Sequence, residues 1–316
     1  MCGVLAEVHC TSAEDFLNEM SPTHGRLWVK NRGPMVSDIE WIFRGVRSAR
    51  WGLSPSALRG VDPFVPGAAD PGPLPETAAE QRNLEDSWVT EFCSEADKMG
   101  FSVPGDSPVL RDNRCAIVDY DPAEFPEIKK LHMYALAQHY GIPTRLLDWT
   151  DRPRVAAYFA VEHAAKVRAG LVRGANRSSE PCAVWALNRN CVEDLSLRKL
   201  LEPAIHFVTA PRASNPNLAA QGGLFTLVQP LESDPHPLPD LDQVLLENAK
   251  KVPGDLTKDF PFLVKFTLPE KETRVALRLL DAEGVHAASV YPGLKGIVEA
   301  MREKKAHQWA EPRDRN

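Results

Sequence analysis

Apolar residues recur along this chain at two spacings, and each spacing predicts a different kind of element. A helical spacing predicts helices after residue 77 and over residues 153–167, 273–283 and 294–304. Short apolar or alternating runs between turn residues predict strands over residues 41–43, 144–148, 183–187, 221–228 and 262–268. The pattern therefore predicts an α+β fold in a single domain. Its central sheet is mixed and mainly antiparallel, and helices and proline-rich loops surround it.

The order of these elements predicts one main body with a segment at each end. Residues 11–14 read Thr-Ser-Ala-Glu, a capping pattern ahead of the apolar Phe16, Leu17 and Met20. Residues 1–35 are therefore expected to form a helical segment packed on the core, and residues 36–304 the main domain. The polar residues 305–316 are expected to form a tail. Prolines at 60–76 and 229–240 predict surface loops.

Composition and charge narrow the class of protein. The chain is 43% hydrophobic and 25% charged, which is typical of a globular protein able to bury a large core. Its net charge of −6 argues against a surface coated in nucleic acid but leaves room for a local basic cleft. Neither a long apolar run nor a signal-like start is present, so we expect a cytoplasmic protein. The six cysteines have no metal-binding or disulfide spacing and are expected to be reduced.

Polar side chains are concentrated in residues 134–160, between two predicted helices. Gly141 can end the first helix, and Pro143 forces extended geometry on the residue before it, so a strand follows a sharp turn. Side chains at the ends of elements are commonly used to build sites. The candidates here are Gln138, His139, Thr144, Arg145 and Asp148.

A second informative stretch is residues 40–59, where Arg44 and Gly45 follow an aromatic strand. A guanidinium can bind a phosphate with two parallel hydrogen bonds, and a glycine would let the ligand approach the backbone. Further positive charge and an aromatic ring are supplied by Arg47, Arg50 and Trp51, a combination suited to a nucleic-acid acceptor. Later in the chain, Gln221 precedes two glycines at the start of a strand, which indicates a close approach of the backbone to a strand or a ligand.

Several common catalytic motifs are absent. The sequence has no phosphate-binding loop of the Walker type and no dinucleotide-binding glycine pattern after a strand. The serine-hydrolase elbow and the His-Glu-x-x-His zinc motif are also missing. His132, His139 and Asp148 have no recognisable metal spacing, so no metal site is predicted. The remaining Arg, Gln, His, Thr and Asp groups suit a phosphorylated or nucleotide ligand.

The sequence resembles the FRG-domain family. The resemblance rests on Phe43-Arg44-Gly45, on the motif Trp-x-Leu-x-Pro-Ser from residue 51, and on the block 137–150 followed by 156–160. Residues 221–225 and 290–296 fit the same family pattern, so the resemblance runs from about residue 12 to residue 302. It implies that residues 36–304 form the FRG domain.

A more distant resemblance is to ADP-ribosyltransferases of the Arg-Ser-Glu kind, and it implies a mechanism and an ADP-ribosyltransferase-like fold. NAD would be the substrate, and Arg44 and Gly45, with Gln138, Thr144 and Arg145, would bind it. Asp148 would stabilise the ribosyl cation, while Gln221 and His139 would orient the ribose or the acceptor. The sequence departs from that family at position 223, where a glycine stands in place of its glutamate.

Three functions remain open from the sequence. The first is an NAD-dependent mono-ADP-ribosyltransferase that modifies a nucleic acid or a protein, in a toxin, in antiviral defence against phage or in regulation. The second is a non-catalytic module that binds a nucleotide or a nucleic acid, DNA included. The third is a metal-dependent hydrolase using His139 and Asp148. No membrane partner is expected, and the sequence leaves the oligomeric state open.

Overall fold

The protein is described by a computed structural model. The structure describes residues 5–22, 27, 40–59, 75–103, 130–172, 179–198, 200–209, 212, 215–230, 234–251 and 262–309. Within these ranges it contains one open sheet flanked by helices on both faces. None of the helices described there is both long enough and apolar enough to cross a membrane.

The sheet has seven strands in the described part of the chain. They are β1 Leu5–His9, β2 Trp41–Val46, β3 Leu146–Thr150, β4 Cys182–Asn188, β5 Ala204–Val208, β6 Gly223–Gln229 and β7 Leu263–Leu268. Their order across the sheet is β1-β7-β4-β2-β3-β6-β5. β1 and β7 are parallel and the other neighbours are antiparallel, which confirms the predicted mixed, mainly antiparallel sheet. The likeness to an ADP-ribosyltransferase fold stays a prediction.

The helices fall on the two faces of this sheet. In chain order they are α1 Ala13–Glu19, α2 Ala78–Lys98, α3 Leu131–His139, α4 Pro153–Arg168, α5 Arg189–Leu197, α6 Pro216–Gln221, α7 Leu241–Ala249, α8 Thr273–Ala282, α9 Ala287–Val290 and α10 Leu294–Trp309. Short 3₁₀ turns lie at Ser56–Leu58 and Glu270–Glu272.

Apolar side chains from alternate strand positions fill a core on each side. On one face, Phe43, Val184 and Phe266 pack with residues of α1, α4 and α8. On the other, Ile42 and Trp185 pack with residues of α5 and α7. All seven residues of β4 are buried, because this strand lies near the centre of the sheet and is covered on both sides. A third cluster lies under α2 and α3, beside β3, β5 and β6.

The N-terminal segment differs from the prediction. Residues 5–9 form β1, which pairs with β7, so this segment contributes a strand to the sheet as well as a helix. The helix α1 is capped by Ser12, one residue later than expected, and the Ser12 hydroxyl accepts a hydrogen bond from the backbone of Asp15 at 3.1 Å. Its Phe16 and Leu17 are buried as predicted.

Other differences concern elements with weak sequence signals. The strand β5 and the helices α5, α6 and α7 lie in stretches for which no element was predicted, and the expected loop at 229–240 ends where α7 begins. The expected strand at 144–148 is found at Leu146–Thr150. Helix α10 runs to Trp309, beyond the expected end at 304. Most of the expected loop at 60–76 and the last seven residues of the tail, 310–316, lie outside the described residues.

Candidate functional site

The two central strands separate from each other at the middle of the sheet. β2 and β3 pair at a single position, Phe43 with Thr150, whereas β2 pairs with β4 along its whole length. Next to that position the Arg44 side chain reaches across to β3. Its Nη1 donates to the Asp148 carbonyl oxygen at 2.8 Å and lies 3.4 Å from Asp148 Oδ2. Arg44 and Asp148, which are distant in sequence, therefore meet at the line where the sheet opens.

Gly45 allows helix α4 to pack directly on β2. A Cβ atom at this position would overlap the Ala156 carbonyl oxygen and would lie 2.7 Å from the Ala160 nitrogen. The sequence suggested that Gly45 lets a ligand approach the backbone. In the structure the close neighbour of Gly45 on its Cβ side is the backbone of α4, and Gly45 also lines the cavity described below. This packing fixes α4 relative to Arg44. The approach of a ligand to Gly45 stays a prediction.

The opening between the strands leads into a cavity of about 770 Å³. Arg44, Gly45 and Asp148 line it, and its volume is in the range of small-molecule binding sites. The Arg44 side chain is 16% exposed and the Asp148 side chain 56% exposed. Burial lowers the pKa of the Arg44 guanidinium, and the negative charge of Asp148 opposes this shift. A poorly hydrated cation at the base of a cavity favours an anionic ligand.

Four arginines from β2 and the segment after it line the cavity, and we call this set of residues the arginine wall. It consists of Arg44, Arg47, Arg50 and Arg59. The Arg47 guanidinium lies 5.5 Å from the centre of the Trp51 ring, and Trp51 is 47% exposed at the edge of the cavity. Arg50 is largely exposed and pairs with Glu180 at 2.9 Å. The structure thus brings the predicted acceptor residues Arg47, Arg50 and Trp51 to the same cavity as Arg44.

Another part of the lining is acidic and aromatic and was not identified from the sequence. This acid–aromatic wall consists of Phe159, Glu162 and Tyr291. The two rings meet edge to face, with centroids 6.0 Å apart. Burial raises the pKa of the Tyr291 hydroxyl to about 12, and the charge of Glu162 adds to this shift. A signal for Glu162 was present, because it follows Phe159 by three residues in a helix and therefore shares its face.

His139 is positioned by a neighbouring helix. It ends α3 and lines the cavity, and its Nε2 lies 3.2 Å from the amide nitrogen of Asn217 in α6. An amide nitrogen can only donate, so His139 Nε2 accepts this hydrogen bond. Burial lowers the pKa of His139, against an opposing effect of Asp148. Both observations favour the neutral imidazole.

Three of the predicted cofactor-binding residues hold elements together, and of these Gln138 also lines the cavity. The Gln138 amide donates to the Leu146 carbonyl at 3.0 Å and accepts from Thr144 Oγ1, so it joins α3 to β3 while lining the cavity. Thr144 is fully buried and is not part of the lining. Arg145 also lies outside the cavity, because its side chain pairs with the buried Glu85 at 2.9 Å. We therefore withdraw Thr144 and Arg145 as ligand-binding residues.

Gln221 lies at the cavity, but its setting differs from the one expected. It is the last residue of α6, not the first residue of a strand, and Gly222 ends the helix with φ of 61°. Its side-chain amide donates to the Val290 carbonyl at 3.2 Å, next to Tyr291. A Cβ atom at Gly223 would overlap the Leu218 side chain. Leu218 of α6 therefore packs closely over Gly223 at the start of β6.

No group of three or more His, Cys, Asp or Glu side chains in the described ranges is arranged to hold a metal ion. The described residues therefore supply no set of metal ligands for the hypothesis of a metal-dependent hydrolase that uses His139 and Asp148.

A comparison with protein families matches the part of the chain that supplies most of the cavity lining. Residues 39–169 match the family model of the FRG domain. This range contains β2, α2, α3, β3 and α4, and so includes Arg44, His139, Asp148 and Glu162. No curated protein and no solved structure matches the chain. The chain thus contains an FRG domain over residues 39–169, and its candidate site is formed largely by that domain.

Proposed function

We propose that the cavity binds NAD and that the protein transfers the ADP-ribosyl group of NAD to an acceptor. The observation that carries this proposal is the meeting of Arg44 and Asp148 at one cavity of about 770 Å³. A pyrophosphate needs concentrated positive charge, which the arginine wall supplies. A ribosyl cation needs a nearby carboxylate, which Asp148 supplies.

The arginine that binds the pyrophosphate is held in place before the ligand arrives. A guanidinium has five N–H donors, so Arg44 can keep its hydrogen bond to the Asp148 carbonyl and still donate to phosphate oxygens. Because the side chain is mostly buried and anchored on β3, little conformational entropy is lost on binding. Trp51, at the edge of the cavity, offers a flat surface for a base.

The proposed reaction breaks one bond and forms one bond at the same carbon. The bond between ribose C1′ and the nicotinamide nitrogen breaks, and nicotinamide leaves as a neutral molecule with the bonding electrons. Positive charge develops on the ribose, where the Asp148 carboxylate stabilises it. An oxygen or nitrogen of the acceptor then supplies the electron pair for the new bond to C1′, and its proton passes to water. His139 Nε2 already accepts a hydrogen bond, so we assign His139 to shaping the cavity.

A second candidate function is nucleotide binding without chemistry. It is favoured by Gly223, because a glycine stands where the Arg-Ser-Glu pattern has its glutamate. The two candidates share the same ligand site, and they differ only in turnover. A measurement of both binding and nicotinamide release therefore separates them.

The test uses the full chain with ADP-ribose and with labelled NAD. Calorimetry should show ADP-ribose binding, and Arg44→Gln should weaken it about tenfold to a hundredfold, because a charged hydrogen-bond donor is lost. Arg198→Gln is the matched control, since Arg198 is an exposed arginine that pairs with Asp194 away from the cavity. Thermal unfolding of both variants checks that the Arg44→Gln chain is folded.

Turnover is measured as nicotinamide release and as label transfer to cell extract, DNA and RNA, with and without a chelator. We expect release by the wild type, and a loss of about a hundredfold in Asp148→Asn with ADP-ribose binding kept. Binding without any release would replace the transferase with the binding module. Absence of ADP-ribose binding would overturn both, and chelator-sensitive cleavage of the nucleic acid would favour the hydrolase.

A further inference from the structure

The acid–aromatic wall carries negative charge that its neighbours do not fully neutralise. Glu162 lies 2.7 Å from Lys166 in the next turn of α4, and the same ammonium group lies 3.2 Å from Glu303. Glu303 also accepts a hydrogen bond from the Tyr158 hydroxyl at 2.8 Å. Glu299 also lies 4.0 Å from this ammonium group and pairs with Arg302 at 2.6 Å. The cluster behind the wall thus holds three carboxylates and two cations and keeps a net negative charge, and Glu162 is its member at the cavity.

The two aromatic side chains of this wall add to its attraction for a cation. Phe159 and Tyr291 line the cavity together with Glu162, their rings are in contact, and the charge of Glu162 raises the pKa of the Tyr291 hydroxyl. Aromatic faces and a carboxylate together attract a positively charged flat group, most strongly where water is displaced. Tyr291 is held there, because the carbonyl of the preceding residue accepts a hydrogen bond from Gln221.

The cavity therefore has opposite charges on different walls. The arginine wall is formed by β2 and the segment that follows it, and the acid–aromatic wall by α4 and the segment after α9. A ligand that matches both walls is anionic at one part and carries a flat cation at another. The oxidised nicotinamide dinucleotide has this distribution, since its pyrophosphate is anionic and its nicotinamide ring is cationic.

We propose that Phe159, Glu162 and Tyr291 form a subsite for a cationic heteroaromatic ring, and that this subsite makes the cavity select NAD⁺ over NADH. The proposal rests on the proposed function and adds the orientation of the ligand. The pyrophosphate lies on the arginine wall and the ring on the acid–aromatic wall. NADH has the same size and the same phosphates, but its nicotinamide ring is neutral. The charge of Glu162 therefore does not strengthen its binding.

The experiment compares the affinities of the full chain for NAD⁺, NADH and ADP-ribose by calorimetry. The wild type should bind NAD⁺ about tenfold more tightly than NADH. Glu162→Gln should remove most of this difference by weakening NAD⁺ binding, with ADP-ribose affinity changed less than threefold. The matched control is Glu193→Gln, which removes an acid from a similar pair with Arg189 on α5, away from the cavity.

A second pair of variants tests the rings with the charge left in place. Tyr291→Leu should weaken NAD⁺ binding several-fold, whereas Tyr291→Phe should keep it, because the ring surface is retained. Equal affinities for NAD⁺ and NADH in a wild type that binds ADP-ribose would overturn the subsite and leave the proposed function standing. A wild type that does not bind ADP-ribose would instead overturn the proposed function.

Discussion

At the scale of single residues, the site depends on how closely one helix approaches one strand. Gly45 lets the backbone of α4 rest on β2, and Phe159 and Glu162 come from the helix that this contact positions. Gly45, which makes this contact, is also the residue that follows Arg44 in the sequence. A change at Gly45 therefore acts on stability and on both walls of the cavity.

We expect Gly45→Ala to destabilise the fold by roughly 2–4 kcal/mol, because the new methyl group would overlap the backbone of Ala156 and Ala160. The measurement is the midpoint of urea unfolding. Gly52→Ala is the control and should cost less, since its nearest neighbours are side-chain oxygens of Asp240 and Asp242 at 3.0 Å and 3.2 Å, which can move. Equal costs for the two variants would contradict the close approach.

Residue chemistry predicted part of the site and misassigned part of it. Arg44 was selected because an arginine beside a glycine at the end of a strand suits a phosphate, and Asp148 because it lies in a polar stretch at the end of a predicted strand. Both line the cavity. Arg145 has the same side chain as Arg44, but it points to Glu85, a residue 60 positions earlier. The sequence gives the type of each side chain, while the direction of a strand residue depends on register, which tertiary packing decides.

At the scale of elements, β2 and β3 are the neighbouring strands with the fewest paired backbone positions. Side-chain contacts hold these two strands together in addition to that pair. Arg44 connects the two strands, and α4 packs against β2 and lies close to β3. Strong patterns located most of these elements from sequence, including β4 and α4. The short β5 and α6 were missed, because five or six residues carry too little periodicity to be distinguished from loops.

His139, which joins α3 to α6 through its hydrogen bond with Asn217, should make the free energy of unfolding depend on pH. Burial lowers the pKa of His139 below that of an unfolded histidine, about 6.5. The unfolded chain then binds more protons than the folded chain in this range, so stability falls as pH drops through 6.5 toward the folded pKa. When the pH is lowered from 7.5 to 5, we expect the melting temperature of His139→Gln to fall less than that of the wild type. Parallel profiles of melting temperature for the two proteins would contradict this.

At the scale of the whole molecule, both ends of the described chain belong to one structure. β1 pairs with β7, and α1 buries Phe16, Leu17 and Met20 in the core that it shares with α4 and α8. The sequence predicted a helical segment packed on the core, and without that packing those three side chains would be exposed. The apolar pattern predicted that these residues are buried, but it does not state against which distant element they pack.

Removal of residues 1–20 should prevent stable folding. Each large apolar side chain withdrawn from the core costs about 1.5–3 kcal/mol, so the three residues alone account for roughly the whole stability of a typical domain. The truncated chain should also aggregate, because the edge of β7 becomes available for pairing. Melting temperature and size-exclusion chromatography provide the measurement, and Glu14→Ala, an exposed position in α1, is the control. A monomeric truncated chain with an unchanged melting temperature would refute this expectation.

The parallel contact between β1 and β7 also sets the order of events during synthesis on the ribosome. His9 and Thr267, which face each other in this pair, are 258 positions apart. At elongation rates of roughly 5–20 residues per second, β1 waits for roughly 13–50 s before its partner strand has been made. β1, the earliest strand in the described part of the chain, is therefore among the last to find its place. The nascent chain must avoid aggregation while β1 remains unpaired, which lasts for most of the translation of these residues.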